Sequence, residues 1–436
     1  MKNSIENKSC KEIANIELDI DVNSNTLTKL TQLQEQHGNF FKVKSSKGRF
    51  AYFINEPDLV NSLLIKNHAN YNKGPGFERI KMLLGNGLIV SDGDTWRRAR
   101  RMIQPSFSRQ NIHKLITNMV TCTLDRALIW EQIIENNDLI NITQQTSDFA
   151  LELILKSIFG HDYETLFNVS GENPFSFLSE DSTRDLSVVV KMRNLRKLIL
   201  GIINTRKADT KINNRYDFLN MYLVATDKDD QKFTDTELID EIITLIVAGY
   251  ETSAGTLNWL WALLSQNNHV TKQLLTESEY LYLNIDNINI ETINKMEFTQ
   301  CVLEETLRLY PPVWLFSRKA ITDNNIGETT IPLNSDIYIS PYIMHRTKKY
   351  WNEPSHFIPN RFTSKNNNKK NPAFIPFSLG PRRCLGEYFS FLEMKIHIGI
   401  MIKKFQIKVT PRYNSELNLG INLRSNNDIL LKLKKR

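Results

Sequence analysis

Cysteine is scarce in this chain: four residues in 436, Cys10, Cys122, Cys301 and Cys384, with no Cys-x-x-Cys pair among them. That excludes a disulfide-stapled secreted module, a zinc ribbon and an iron–sulfur quartet, and it points to a reducing compartment, expected to be the cytoplasm. Long apolar runs are missing as well. The greasiest stretches, around 198–203 and 242–248, fall far short of the ~18 residues that a spanning helix needs. The first thirty residues are polar and charged, with no segment suited to a signal or a membrane anchor. There is no solenoid-period repeat, no Pro- or Ser-rich hinge, no Gly-rich nucleotide loop and no nucleic-acid-binding motif. Residues 31–436 therefore read as one domain, preceded by a polar extension over 1–30 that is expected to be partly disordered. A net charge of +7 suits a solvated basic surface or an acidic partner.

Helical periodicity dominates what is present. Phe40–Val43 and Arg49–Ile54 alternate around Ser46-Lys47-Gly48 as a β-hairpin. Pro57 opens a helix with Leu59, Leu63 and Leu64 on one face, and residues 72–94 are irregular and glycine-rich. From Trp96 the pattern is helical for about two hundred residues, interrupted by a polar, candidate mobile stretch near 168–183. Thr234 and Glu237 form a capping box that starts a long apolar helix running to about Ser265. Gly249 and Gly255 lie inside it, each costing about 1 kcal/mol relative to alanine, so something must approach the helix closely there. Short strands follow Pro311-Pro312, then a polar loop at 363–371 and a last helix over 387–404. The class is mainly α with a small β region.

The most informative stretch is Phe377-Ser378-Leu379-Gly380-Pro381-Arg382-Arg383-Cys384-Leu385-Gly386. A thiolate that ligates a metal must be held deprotonated by backbone N–H groups and positive charge. Gly380 and Gly386 let the backbone curl close to the sulfur, Phe377 covers it, and Arg382 offers a charge-assisted donor to a carboxylate. The stretch resembles the cysteine loop of the cytochrome P-450 family, Phe-x-x-Gly-x-Arg-x-Cys-x-Gly, at every fixed position. The resemblance runs from about residue 38 to the C-terminus through five motif blocks. It implies the cytochrome P-450 fold, with haem b (iron protoporphyrin IX) between the long oxygen-binding helix and the cysteine loop, and Cys384 as the axial thiolate.

Further residues take their expected roles from that resemblance. Ala248-Gly249-Tyr250-Glu251-Thr252-Ser253 is similar to the family's oxygen-binding signature. Ala248 and Gly249 lie against the haem, Gly249 leaves room for dioxygen, Thr252 turns its hydroxyl inward, and Glu251 feeds protons through water. Trp96-x-x-x-Arg100 places an indole and a guanidinium one above the other on a helix that faces a haem propionate. Arg318 takes a second propionate position, so Arg382, Arg100 and Arg318 balance two carboxylates. Glu305 and Arg308, with Arg361 from the downstream Pro-x-Arg-Phe segment, form a buried structural network. Asn360 departs from the acidic residue frequent before that arginine. The pocket is lined by Leu83, Leu84 and Leu88, by Ile246 and Ala248, by the segment 313–316, and by Ile421.

What the resemblance implies is a haem-thiolate monooxygenase of the soluble, bacterial type. It would insert one atom of O2 into a small, largely apolar organic substrate by hydroxylation or epoxidation. With no flavin or iron–sulfur motif of its own, the chain needs electrons from an acidic ferredoxin or flavodoxin with its NAD(P)H-dependent reductase. A basic patch of Arg97, Arg98, Arg101, Arg383 and Lys395 on the cysteine side would receive that partner. The alternatives are a desaturase, coupling or peroxide-driven enzyme on the same cofactor, or a non-catalytic haem protein that binds a ligand.

Overall fold

The structure is a computed structural model, and it describes residues 9–20, 23–45, 48–164, 186–208, 216–364, 371–408 and 416–436. The polar stretch at 168–183 and most of the 363–371 loop lie outside the described residues.

Six strands form the main sheet: β1 (Lys11–Glu17), β2 (Phe40–Lys44), β3 (Phe50–Ile54), β4 (Tyr71–Lys73), β5 (Phe316–Ala320) and β6 (Asp336–Ile339), ordered β1-β2-β3-β6-β5-β4. The hairpin β2–β3 pairs antiparallel with Phe41 opposite Phe53, and their rings stack at 4.8 Å. β1 runs parallel to β2, and helix α1 (Ser24–His37) follows, capped by the Asn23 side chain. Leu18, Leu27 and Leu30 are buried in the core. The boundary drawn at residue 30 thus falls inside α1, and the described part of the extension is built into the domain by these leucines.

Pro57 opens α2 (Pro57–Asn61), which runs into one π-helical turn at Ser62–Lys66. The stretch expected to be irregular contains β4 and an eight-residue helix, α3 (Phe77–Leu84), bounded by Gly76 and Gly85 at φ of 96° and 83°. The helical body follows: α4 (Gly93–Ile103), α5 (Ile116–Glu135), α6 (Ile142–Phe159), α7 (Leu186–Ala208), α8 (Asp235–Gln266), α9 (Glu297–Leu309) and α10 (Glu387–Lys404). The Thr234–Glu237 capping box starts α8 with both reciprocal bonds made.

α8 is the central strut. Its apolar residues are buried nearly all round, as expected of a helix that crosses the core. A Cβ at Gly249 would lie 2.8 Å from Cδ1 and Cγ1 of Ile154 on α6, so the glycine is what lets these helices approach. At Gly255 the nearest atom, the Leu423 carbonyl oxygen, is 3.8 Å away, which is ordinary contact. The expectation of a close approach holds at the first position and not at the second. Among the described residues, no helix is long and apolar enough to cross a membrane.

Candidate functional site

The cysteine loop is shaped by two unusual backbone conformations. Ser378 and Gly380 have φ of 61° and 71°. At Gly380 a Cβ would stand 2.1 Å from the Leu64 carbonyl oxygen in the π turn, so only glycine fits. Gly386 differs: its φ is −79°, and an added Cβ would meet the Cys384 Sγ at 3.9 Å. Within the protein alone, then, the loop's backbone requires glycine at 380, while at 386 the nearest neighbour of an added Cβ is the cysteine sulfur itself. The loop closes with the Cys384 N–H donating to the Phe377 carbonyl at 3.0 Å and the Arg383 N–H to the Gly380 carbonyl at 3.0 Å. The Phe377 ring packs on Phe391 of α10, 5.5 Å between centroids.

Cys384 is exposed as a residue, yet enough protein crowds its sulfur that burial pushes the thiol above its ordinary pKa. Opposing that, the backbone N–H groups of Gly386 and Glu387 at the start of α10 and the charge of Arg100 favour the thiolate. Arg100 donates from Nη1 to the Arg383 carbonyl at 2.9 Å, so the structure ties it to the cysteine loop.

Next to the loop lies an unbalanced set of cations. Arg382 donates to the Ser91 carbonyl at 3.1 Å, pairs with Asp92, and stacks over the Trp96 ring at 4.3 Å. Arg318 and Lys73 are register partners across β5 and β4. Burial, then repulsion from Arg382, pulls the buried Arg318 guanidinium down to about 10. Lys73 is pushed well below its ordinary value by burial and by the charges of Arg318 and Arg382. Asp92 is the acid that acts on all three. Like charges placed opposite one another destabilise a sheet unless an anion offsets them. Two carboxylates would do so, and the residues therefore fit a haem with its propionates. Lys73 was invisible in the sequence, because only the strand register places it beside Arg318.

On α8, the Thr252 hydroxyl donates to the Ala248 carbonyl one turn back, at 2.9 Å. Ala248, Gly249, Glu251 and Thr252 are half-buried. The Glu251 carboxylate accepts from Asn422 Nδ2 at 2.5 Å and pairs with Arg424. Among the described residues, no hydrogen bond joins Glu251 to Thr252. The space beside Gly249 that was expected to accommodate dioxygen is faced by Ile154.

Glu305 and Arg308 are fully buried and joined by two parallel bonds, Nε to Oε2 at 2.7 Å and Nη2 to Oε1 at 2.8 Å. Arg361 Nε reaches Glu305 Oε1 at 3.2 Å, and the Ile358 N–H donates to the same oxygen at 2.8 Å. The remaining Arg308 donors go to the carbonyls of His345, Pro354 and His356. This network knots α9 to the segment before the cysteine loop.

Two expectations are corrected here. Arg98 does not face a partner: Asp227 at 2.6 Å, Glu237 at 2.8 Å and the Lys232 carbonyl hold it inside the molecule. Lys395 is buried. Arg97, Arg101 and Arg383 remain exposed, although Arg97 pairs with Asp94 and Arg383 with Glu387. Of the expected pocket residues, Ile246 and Trp314 are fully buried and belong to the core.

A family model described as cytochrome P-450 matches residues 16–174 and 168–430 of the chain. Cytochrome P-450 97B2, chloroplastic, of Glycine max is 26% identical over 92% of this chain and 81% of its own. Carotene epsilon-monooxygenase, chloroplastic, of Arabidopsis thaliana is 24% identical over 93% of this chain and 81% of its own. A crystal structure of a cytochrome P-450 superposes with a TM-score of 0.85 at 21% identity, covering 98% of this chain and 100% of that one.

Proposed function

The chain belongs to the cytochrome P-450 family, and on that premise we propose that Cys384 is the thiolate ligand of a haem b at which a small, largely apolar organic substrate is hydroxylated or epoxidised. That it is a haem-dependent monooxygenase, an oxidoreductase using O2 and a redox partner, follows from the family itself. The assignment to Cys384 rests on one observation above all. This cysteine stands on a tight loop just ahead of α10, closed by its own N–H to the Phe377 carbonyl, pinned at Gly380 where only glycine fits against Leu64, and braced by Arg100.

The haem, when bound, supplies the redox chemistry that activates dioxygen and transfers one oxygen atom to a carbon centre. The residues of the chain do the rest. Lys73, Arg318 and Arg382 hold the propionates, and Trp96 supports the Arg382 guanidinium. Arg100 braces the cysteine loop through Arg383. Thr252 orients its hydroxyl near Ala248, and Glu251 supplies protons toward it through water. Electrons come from an acidic ferredoxin or flavodoxin with an NAD(P)H-dependent reductase, received by Arg97, Arg101 and Arg383. An apolar substrate is supported by half-buried Leu88 and Phe316 and by the relative named for carotene. The cytoplasmic location is supported by four free cysteines.

Dithionite-reduced protein under carbon monoxide should show the long-wavelength thiolate band, and Cys384→Ser should lose it. A variant that keeps the full band rejects the ligand assignment. Screening apolar compounds for a low- to high-spin shift of the haem then identifies the substrate class.

A further inference from the structure

The acid of the oxygen-side pair is not held by its own helix. A two-stranded hairpin near the C-terminus, β7 (Leu417–Leu419) and β8 (Leu423–Ser425), pairs antiparallel with Leu419 opposite Leu423. Asn422 at its turn and Arg424 on β8 each bind one oxygen of Glu251, which lies more than 170 residues earlier in the chain. Arg424 also bonds the neighbouring Tyr250, and Asn258 donates to Ser425 at 3.1 Å. The hairpin therefore lies along α8 from residue 250 to residue 258.

The same hairpin is fastened to the segment after the double proline. Trp314 Nε1 donates to the Gly420 carbonyl at 3.0 Å, and the Leu423 N–H donates to the Pro312 carbonyl at 2.8 Å. Between these anchors Ile421 is 45% exposed at the turn, next to the residues that bind the acid. The hairpin thus bridges the 312–314 segment and α8, which it meets at Tyr250, Glu251 and Asn258, and its first strand accepts a further bond from Ser24 of α1. A carboxylate whose two oxygens are both occupied by an amide and a guanidinium is fixed in place by charge-assisted bonds. It reaches water chains toward Thr252 only from where the hairpin puts it, or after the hairpin lets go.

We propose that Arg424 and Asn422 are positioning residues for Glu251, and that the hairpin carrying them transmits the position of the Pro312–Trp314 segment to the acid. A compound that presses on that segment or on Ile421 thereby adjusts proton supply without touching Glu251. The inference rests on the reading of Glu251 as the proton-supplying acid.

The test uses the haem-loaded protein and two measurements. Infrared difference spectra, wild type minus Glu251→Gln, isolate the carboxylate band of Glu251. Re-oxidation of the dithionite-reduced protein by air, in H2O and in D2O, gives the proton-linked rate and its solvent isotope effect. Arg424→Met should shift the Glu251 band and change the isotope effect or the re-oxidation rate by about threefold or more. Arg424→Lys should return both toward wild type. Trp314→Phe, which touches neither Glu251 nor Arg424, should shift the band in the same direction as Arg424→Met. If Arg424→Met does not fold, Asn422→Ala reads the same band. Lower melting temperatures with an unmoved band and isotope effect in Arg424→Met and Trp314→Phe would overturn the proposal and leave the hairpin a structural brace. If Glu251→Gln itself leaves re-oxidation unchanged, the proton-supplying reading falls, and the positioning inference with it. A change in Glu251→Gln without one in the hairpin variants removes the inference alone.

Discussion

Lys73 and Arg318 stand directly opposite each other on adjacent antiparallel strands, two cations in register at the edge of the cysteine site. With Arg382 they outnumber Asp92 by three to one. The apoprotein carries that repulsion, and an anionic ligand relieves it. Arg318→Met should therefore leave the melting temperature of the apoprotein unchanged or raised, while haem affinity falls by about tenfold or more. Haem titration and differential scanning of the apoprotein check both halves. A variant that loses apoprotein stability and keeps haem affinity would mark Arg318 as a packing residue.

Arg308→Ala should cost about 3–5 kcal/mol, because it leaves the fully buried Glu305 without its bidentate partner. Three backbone carbonyls lose their donor in the same step. The expected outcome is low yield and haem-poor protein. Normal haem stoichiometry and an unchanged denaturation midpoint would contradict it.

Stability should depend on pH in an asymmetric way. Burial pushes the carboxyls of Glu393 and Glu241 up from their ordinary 4.5 to about 8, against the Ser253 hydroxyl and the Leu88 N–H that favour their charge. As pH rises from 4.5 to about 8, the unfolded chain releases these two protons before the folded one, so stability falls. Burial holds His345 and His397 down from 6.5 to about 3, so stability also falls as pH drops below 6.5. These four contributions offset one another between about 4.5 and 6.5 and leave a net loss on either side. Each group contributes at most about 1.4 kcal/mol per pH unit. Melting temperatures from pH 5 to about 8.5 should fall at the alkaline end, and Glu393→Gln should remove about half of that fall. An unaltered slope in the variant would mean that Glu393 titrates normally.

Charge reversal at Arg97 together with Arg101, both exposed, should slow turnover driven by an acidic partner by about tenfold at low salt. Peroxide-driven turnover should stay nearly constant, and the defect should shrink as ionic strength rises. Equal loss in both assays would point to damage at the haem. Arg98→Ala should instead lower the melting temperature, since Arg98 joins α4 to Asp227 and to Glu237 on α8.

The shape of the cysteine loop and the Glu305–Arg308 pair were legible in the sequence because each is written in consecutive residues or within one helical turn. The last helix and the capping box were legible for the same reason. What escaped was whatever depends on distant segments meeting. Lys73 gains meaning only through the register of β4 with β5, and Arg424 only because a hairpin docks on α8. Arg98 looked solvent-facing from its helix alone, but Asp227, 129 residues away, had already claimed it. The helix α3 was hidden by its bounding glycines, which read as loop. The strand β1 is polar and alternates weakly, so its pairing with β2 left little trace.

The Gly380–Leu64 contact places the cysteine loop at the seam between two hydrophobic clusters. Leu64 and the partly buried Leu379 belong to the sheet-side cluster, while α10, which continues from Cys384, is buried in the larger helical one. The loop keeps its shape only while both halves are in place. Loss of the cofactor's absorbance on heating thus marks whichever half loosens first, whereas the calorimetric transition records the whole chain. For this protein the colour is a sentinel of the weaker half, and the gap between the two temperatures measures how unequally the halves are built.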